Sequence, residues 1–222
     1  MENNDAPHFV PSLNVEEQYM SVDDFYYTID APLRAPDLKV KGSRFIADIA
    51  PVQTKEEIEH CLANIRKEFH DATHHSFAYR LGADALQVRA ADDGEPTGTA
   101  GKPILLVLTA RKLTNVILVI TRYFGGTKLG TGGLARAYAE AAQQAVSMSN
   151  VVRVYLTSSV SLEVHYEDVP HMERLIHAFG GRIEESTYLA SVTFRVAVRR
   201  SQWEAFLQAV TETFQGRVVP RS

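Results

Sequence analysis

Apolar positions along this chain change period several times, and each change marks an element. From Tyr26 to Leu33, and again from Leu38 to Val52, apolar residues alternate; Phe45, Ala47 and Ile49 fall on one face, and Ile46, Asp48 and Ala50 on the other. A period of two predicts strands, and Ala35-Pro36-Asp37 supplies the reversal between them. Thr54-Lys55-Glu56-Glu57 then reads as a capping box. It opens a helix that sets Ile58, Cys61, Leu62, Ile65 and Phe69 along one face. Strands are predicted over His75 to Leu81 and Leu86 to Ala91, followed by a polar loop from Asp92 to Gly98. A helix from about Thr99 to Arg111, a buried strand from Asn115 to Tyr123, a glycine-rich loop from Gly125 to Gly133 and a helix from Leu134 to Met148 complete this half.

The pattern changes near Val151. A strand over Ser158 to Tyr166 precedes a helix from Asp168 to Phe179, which Gly180-Gly181 ends. Strands over Arg182 to Thr187 and Leu189 to Val198 follow, then a second capping box, Ser201-Gln202-Trp203-Glu204. Its helix gathers Trp203, Phe206, Leu207, Val210 and Phe214, and Arg217 to Val219 is read as a closing strand. The order β-α-β-β-α-β is the ferredoxin-like plan. The expected organisation is therefore a polar leader over 1–24, an α+β domain over 25–150 and a ferredoxin-like domain over 151–222.

Charge sharpens the division. The chain of 222 residues has net charge −4. Residues 1–38 hold one arginine against eight acids, net −7. Residues 39–150 hold 14 bases and 11 acids, net +3, and residues 151–222 balance eight arginines with eight acids. The leader reads as a solvated tail ahead of a mildly basic body. The longest aliphatic runs, Ile104 to Leu108 and Val116 to Ile120, are far short of the roughly 20 residues that span a bilayer. The first residues lack the basic and apolar regions of a secretory signal. Cys61, the single cysteine, permits no internal disulfide. A cytoplasmic protein without a membrane partner is expected.

Three segments could carry chemistry. Asp92-Asp93-Gly94-Glu95-Pro96-Thr97-Gly98 places three carboxylates within four residues. They could hold a hard cation or pair with basic groups, but Asp, Gly and Pro also build turns. The spacing is not that of a calcium loop, so no metal is assigned. Thr121 to Gly133 sets five glycines between a strand and a helix, with Arg122, Lys128 and Arg136 in or beside them. Glycine admits close backbone approach, and a helix N-terminus favours an anion such as phosphate. The segment is neither a Walker A loop nor GxGxxG, and a tight connection would have the same composition. Arg122, Gly125, Gly126, Lys128, Gly130, Thr131, Arg136 and Lys102 are the candidate anion-binding residues. His74, His75, Tyr79, Asp92, Asp93, Glu95 and Thr97 are candidate polar partners. His74 and His75 adjoin on a strand, so at most one can face a given site. We expect some acids to satisfy Arg122 and the loop amides, leaving Lys128 and Arg136 for a ligand.

Four ordered blocks carry a resemblance: Ser43-Arg44-Phe45-Ile46-Ala47, Ala72-Thr73-His74-His75, Asp92 through Leu105, and Thr121 through Gly130. They resemble the signature blocks of the N-terminal domain of the IMPACT/YigZ family, over roughly residues 38–150. The remainder resembles the small C-terminal domain of its bacterial branch. The resemblance implies a first domain with the ribosomal protein S5 domain 2-like fold. It implies a ferredoxin-like second domain, similar to a C-terminal domain of elongation factor G. Eukaryotic members act in translational control and carry an N-terminal RWD domain. Here the acidic leader stands in that place, so the kinase-pathway interaction is not carried over. The implied function is a non-enzymatic binding protein engaging RNA, a ribonucleoprotein or a translation factor. The alternative is an enzyme acting on a small phosphorylated or nucleotide ligand. No nucleophile–base pair is identifiable in the sequence, and no cofactor is called for.

Overall fold

The computed structural model describes residues 24–221. Residues 1–23, nearly all of the acidic leader, lie outside the described residues. The elements are β1 (Phe25–Ile29), β2 (Leu33–Arg34), β3 (Leu38–Val40), β4 (Ser43–Pro51), α1 (Lys55–Glu68), β5 (His74–Leu81), β6 (Gln87–Ala91), α2 (Gly101–Ala110), β7 (Val116–Tyr123) and α3 (Thr131–Met148). They are followed by β8 (Val151–Tyr155), β9 (Thr157–Val164), α4 (Val169–Ala178), β10 (Arg182–Tyr188), β11 (Val192–Arg199) and α5 (Trp203–Thr213).

The main sheet is antiparallel, in the order β2-β4-β7-β5-β6, with β3 also paired to β4. Its centre, β7, is covered on both faces, which explains an unbroken apolar run where alternation would mark a half-exposed strand. Val116, Leu118 and Ile120 enter the core under α2 and α3. Ile117 and Val119 enter the core under α1 with Ile58, Leu62 and Ile65. The Thr54 hydroxyl accepts from Glu57 N at 3.2 Å, and the Glu57 carboxylate accepts from Gln53 N at 2.6 Å, so α1 starts as its sequence dictates.

The second half packs α4 and α5 on one face of an antiparallel sheet ordered β10-β11-β9. Its core draws only on residues from Val160 to Val218, among them Phe194, Met172, Ile176, Phe206 and Val210. The helix stop at Gly180-Gly181 is a Schellman turn: Gly180 has φ +62°, and Gly181 N donates to Ile176 O at 2.8 Å. The architecture is thus two-domain α+β, as the sequence implies.

Four local readings need correction. The strand expected over Tyr26 to Leu33 breaks after Ile29, and β1 leaves the main sheet to pair with β8, Phe25 opposite Tyr155 and Ile29 opposite Val151. The strand expected over Leu38 to Val52 folds at Lys41-Gly42, whose φ values of 45° and 82° make a two-residue primed hairpin turn. Ser201 does not cap its helix; its hydroxyl donates to the Asp24 carboxylate, and α5 begins at Trp203 without a side-chain cap. The closing strand expected over Arg217 to Val219 does not form; one bridge, two residues later, pairs Arg221 with Ser161 on the free edge of β9. That position still completes the ferredoxin-like order.

Candidate functional site

The antiparallel register gathers the start of β4, the end of β7 and the start of β5 at one end of the main sheet. Arg44 lies opposite Tyr123, and His74 opposite Arg122. Both polar loops leave this end. Arg122 continues the β7 face of Leu118 and Ile120, so its side chain enters the layer under α3 rather than solvent. It is 4% exposed, and its partner Glu95 is 7% exposed. Arg122 Nη1 donates to Glu95 Oε1 at 2.6 Å, and Nη2 to Ser43 Oγ at 3.2 Å. The guanidinium lies over the rings of Phe45 and Phe124. Tyr138, wholly buried in α3, donates its hydroxyl to Glu95 Oε1 at 2.8 Å. Burial is the main force raising the Tyr138 phenol well above its ordinary pKa, with the Glu95 charge adding to it, so it remains a neutral donor. A buried ion pair recovers its desolvation cost only with such added hydrogen bonds. Among the described residues the Nε of Arg122 has no hydrogen-bond partner.

Asp92 serves the other loop. Its carboxylate accepts from Gly98 N and Gly101 N at 2.8 Å and from Ala100 N at 3.0 Å. It therefore occupies the amide terminus of α2 with an internal anion. Burial pushes its pKa up, but the three N–H donors outweigh that and hold it below the ordinary aspartate value. Asp93, at φ 49°, accepts from His75 N at 2.7 Å and pairs with Arg66 at 3.4 Å. Its backbone carbonyl accepts from His74 Nδ1 at 2.8 Å. That bond puts the proton on Nδ1 and leaves Nε2 facing Glu95 Oε2 at 3.9 Å.

Strand parity separates the neighbours. His74 and Ser76 share the α3 side; the Ser76 hydroxyl donates to Asp92 O at 2.7 Å. His75, Phe77 and Tyr79 share the α1 side. Tyr79 stacks on Phe77 at 6.4 Å within that core, so it stands across the sheet from the cluster it was grouped with. His75 Nε2 donates to Phe69 O at 3.2 Å. Burial lowers the His75 pKa, against the pull of Asp93 and the Phe69 carbonyl.

The glycine-rich loop rests on the hairpin turn. A Cβ on Gly125 would lie 1.9 Å from the carbonyl carbon of Gly42, so close backbone packing alone demands glycine there. Gly130, at φ 70°, precedes α3, whose amide terminus has no side-chain cap. Helix α3 starts at Thr131, three residues before Leu134, because Gly132 and Gly133 occupy its first turn despite their poor helix propensity. The Arg136 guanidinium folds back to 3.6 Å from where a Gly132 Cβ would stand. Lys102, Lys128, Arg136, Thr97 and Thr131 are exposed. Among the described residues none of these three cations has a carboxylate partner.

The Impact N-terminal domain family matches residues 41–146, and a domain of unknown function, DUF1949, matches residues 162–217. The IMPACT family member YvyE of Bacillus subtilis is 34% identical over 181 residues, 82% of this chain and 83% of that protein. The IMPACT family member YigZ of Escherichia coli is 34% identical over 180 residues, 80% of this chain and 88% of the relative. The chain belongs to the IMPACT family. A crystal structure of a hypothetical protein is similar over 90% of this chain and 98% of its own, with a TM-score of 0.66 and 32% identity.

Every residue of the cluster, from Ser43 to Tyr138, falls inside the Impact domain match. Sequence reasoning passed over Ser43, Ser76 and Tyr138 as functional positions. Ser43 stood at the head of a family block, which was the available signal. Tyr138 occupies an apolar position of α3 and reads as plain core. No helix among the described residues is long and apolar enough to cross a membrane.

Proposed function

We propose that this IMPACT family chain is a cytoplasmic, non-enzymatic binding protein linked to translation, which engages RNA, or a ribonucleoprotein or translation factor, through the glycine-rich face of its first domain. One observation carries the reading. The two polar loops lead into two helix N-termini, and among the described residues only that of α2 is filled, by Asp92. The α3 terminus is uncapped and flanked by exposed Lys128 and Arg136. Uncapped amides beside unneutralised cations suit phosphate oxygens. Such contacts position a nucleic acid without reading its sequence. Arg122 stands apart as a buried support: it ties Glu95 and Ser43, and Ser43 in turn accepts from Gly125 N at 3.2 Å.

A second reading rests on His74. With Nδ1 held by the Asp93 carbonyl, its Nε2 faces Glu95, an arrangement that would suit an enzyme acting on a small phosphorylated or nucleotide ligand. Co-sedimentation of the purified protein with ribosomes and with structured RNA tests the binding reading. Retention in either pellet supports it. Absence from both, together with Mg²⁺-dependent turnover of a nucleotide, would replace it with the enzymatic one.

A further inference from the structure

The ribbon of β1 and β8 carries groups that the glycine-rich face does not use. On one side, Phe25 lies opposite Tyr155, and Tyr27 opposite Arg153. The rings meet edge to face, Phe25 lying 5.4 Å from Tyr27 and 6.1 Å from Tyr155. The Arg153 guanidinium lies 4.5 Å from the Phe25 ring centre and 5.7 Å from that of Tyr27, with both neighbouring phenol oxygens 3.4 Å from its nitrogens. Arg199, at the end of β11, lies over Tyr155 at 3.7 Å.

Both arginines are exposed, and neither has a carboxylate partner among the described residues. Asp30 and Asp24, at the ribbon's two ends, accept hydrogen bonds from the neutral Asn150 amide and Ser201 hydroxyl and keep their charge. The result is a layer of aromatic rings and guanidinium planes whose two cations make no ion pair among the described residues. A carboxylate-rich protein partner would need only the charge. Guanidinium planes lying over aromatic rings fit unstacked bases, which stack on aromatic and guanidinium faces while phosphates take the guanidinium edges. A duplex, whose bases have no free faces, does not match.

We propose that this ribbon face binds single-stranded RNA, with bases on the layer of Phe25, Tyr27 and Tyr155 and phosphates held by Arg153 and Arg199. The partner class rests on the RNA reading above, but the residues are separate from the loop. The test is fluorescence anisotropy of the whole protein with a labelled single-stranded oligouridylate and with a blunt RNA duplex. The Arg153→Gln/Arg199→Gln double variant should weaken single-strand binding about tenfold or more. Duplex binding and thermal melting should be unchanged, whereas Lys128→Ala should weaken both ligands. In the unaltered protein, 4-thiouridine-substituted RNA should crosslink within residues 25–27 or 151–155. Unchanged single-strand binding in the double variant, or crosslinks confined to the glycine-rich loop, would overturn the ribbon site and leave the loop site standing. No RNA binding by the unaltered protein would overturn both. Loss of ribosome co-sedimentation with free-RNA binding intact would make this face a protein contact, and would also overturn the proposal.

Discussion

Glu95→Ala should be the most damaging single truncation at the sheet end. The guanidinium it leaves behind is buried on every side, and its shortest hydrogen bond, 2.6 Å, is to the lost carboxylate. Breaking a buried pair by removing one partner costs about 3–5 kcal/mol. The Tyr138 hydroxyl also loses its acceptor, but Ser76 Oγ, 3.4 Å away, can replace part of that bond. We therefore expect about 4 kcal/mol in all, a large part of a domain stability of about 5–15 kcal/mol. Urea unfolding separates this from a global effect. Trp203 is the single tryptophan and packs on the second core, so its fluorescence reports that core, while far-UV circular dichroism reports both. The Glu95→Ala transition should move down by about 2 M urea in the first domain, with the Trp203 transition in place. Adding Arg122→Met should restore much of the loss, because the stranded charge is then gone. A cost under about 1 kcal/mol, or strictly additive effects of the two changes, would refute the buried-charge reasoning.

Three further outcomes follow from the geometry. Asp92→Asn should cost about 1–2 kcal/mol, the usual value of a helix cap; because the Asp92 pKa is lowered in the folded state, its contribution is full at neutral pH and is lost as pH falls below the unfolded value of about 4, which acid titration of the native and variant proteins can read. Gly125→Ala should lower the melting temperature more than Gly126→Ala. The first puts a Cβ 1.9 Å from Gly42, while the second meets no atom within 4 Å and pays only for φ +82°, roughly 1–2 kcal/mol; a reversed order would show that the loop does not rest on the hairpin. A fragment of residues 157–222 should give a dispersed NMR spectrum, because its core takes no residue from before Val160. An unfolded fragment would mean that the β1–β8 ribbon completes the second fold.

Elements with strong local signals were legible in the sequence. The Thr54 box gave α1, Gly180-Gly181 gave the end of α4, and the doubly covered β7 appeared as an unbroken apolar run. What failed was decided by distant partners. β8 has no fully buried residue and exists because β1 pairs with it across more than a hundred residues. Ser201 has a capping sequence, but Asp24 takes its hydroxyl. Lys41-Gly42 turns the chain without the asparagine or aspartate that usually announces a primed turn. At the site, alternation along β5 correctly put His74 and His75 on opposite faces, and the same parity placed Tyr79 with His75. The pairing of Glu95 with Arg122 could be foreseen from charge. The third member, Tyr138, could not, because a phenol at a core position shows its polar role only once the loop is folded over it.

The proposed phosphate contact at the α3 terminus is tested most directly by a salt series. Binding of RNA or ribosomes should be measured on the native protein and Lys128→Ala from low to moderate ionic strength. Lys128 is exposed and without a carboxylate partner among the described residues, so its loss should leave the fold intact. The variant should bind more weakly at low salt, with a log–log slope shallower by about 0.7–0.9, the release of one counterion. The two curves should converge as salt rises. Equal affinity at low salt with parallel slopes would contradict the claim that this surface meets phosphate.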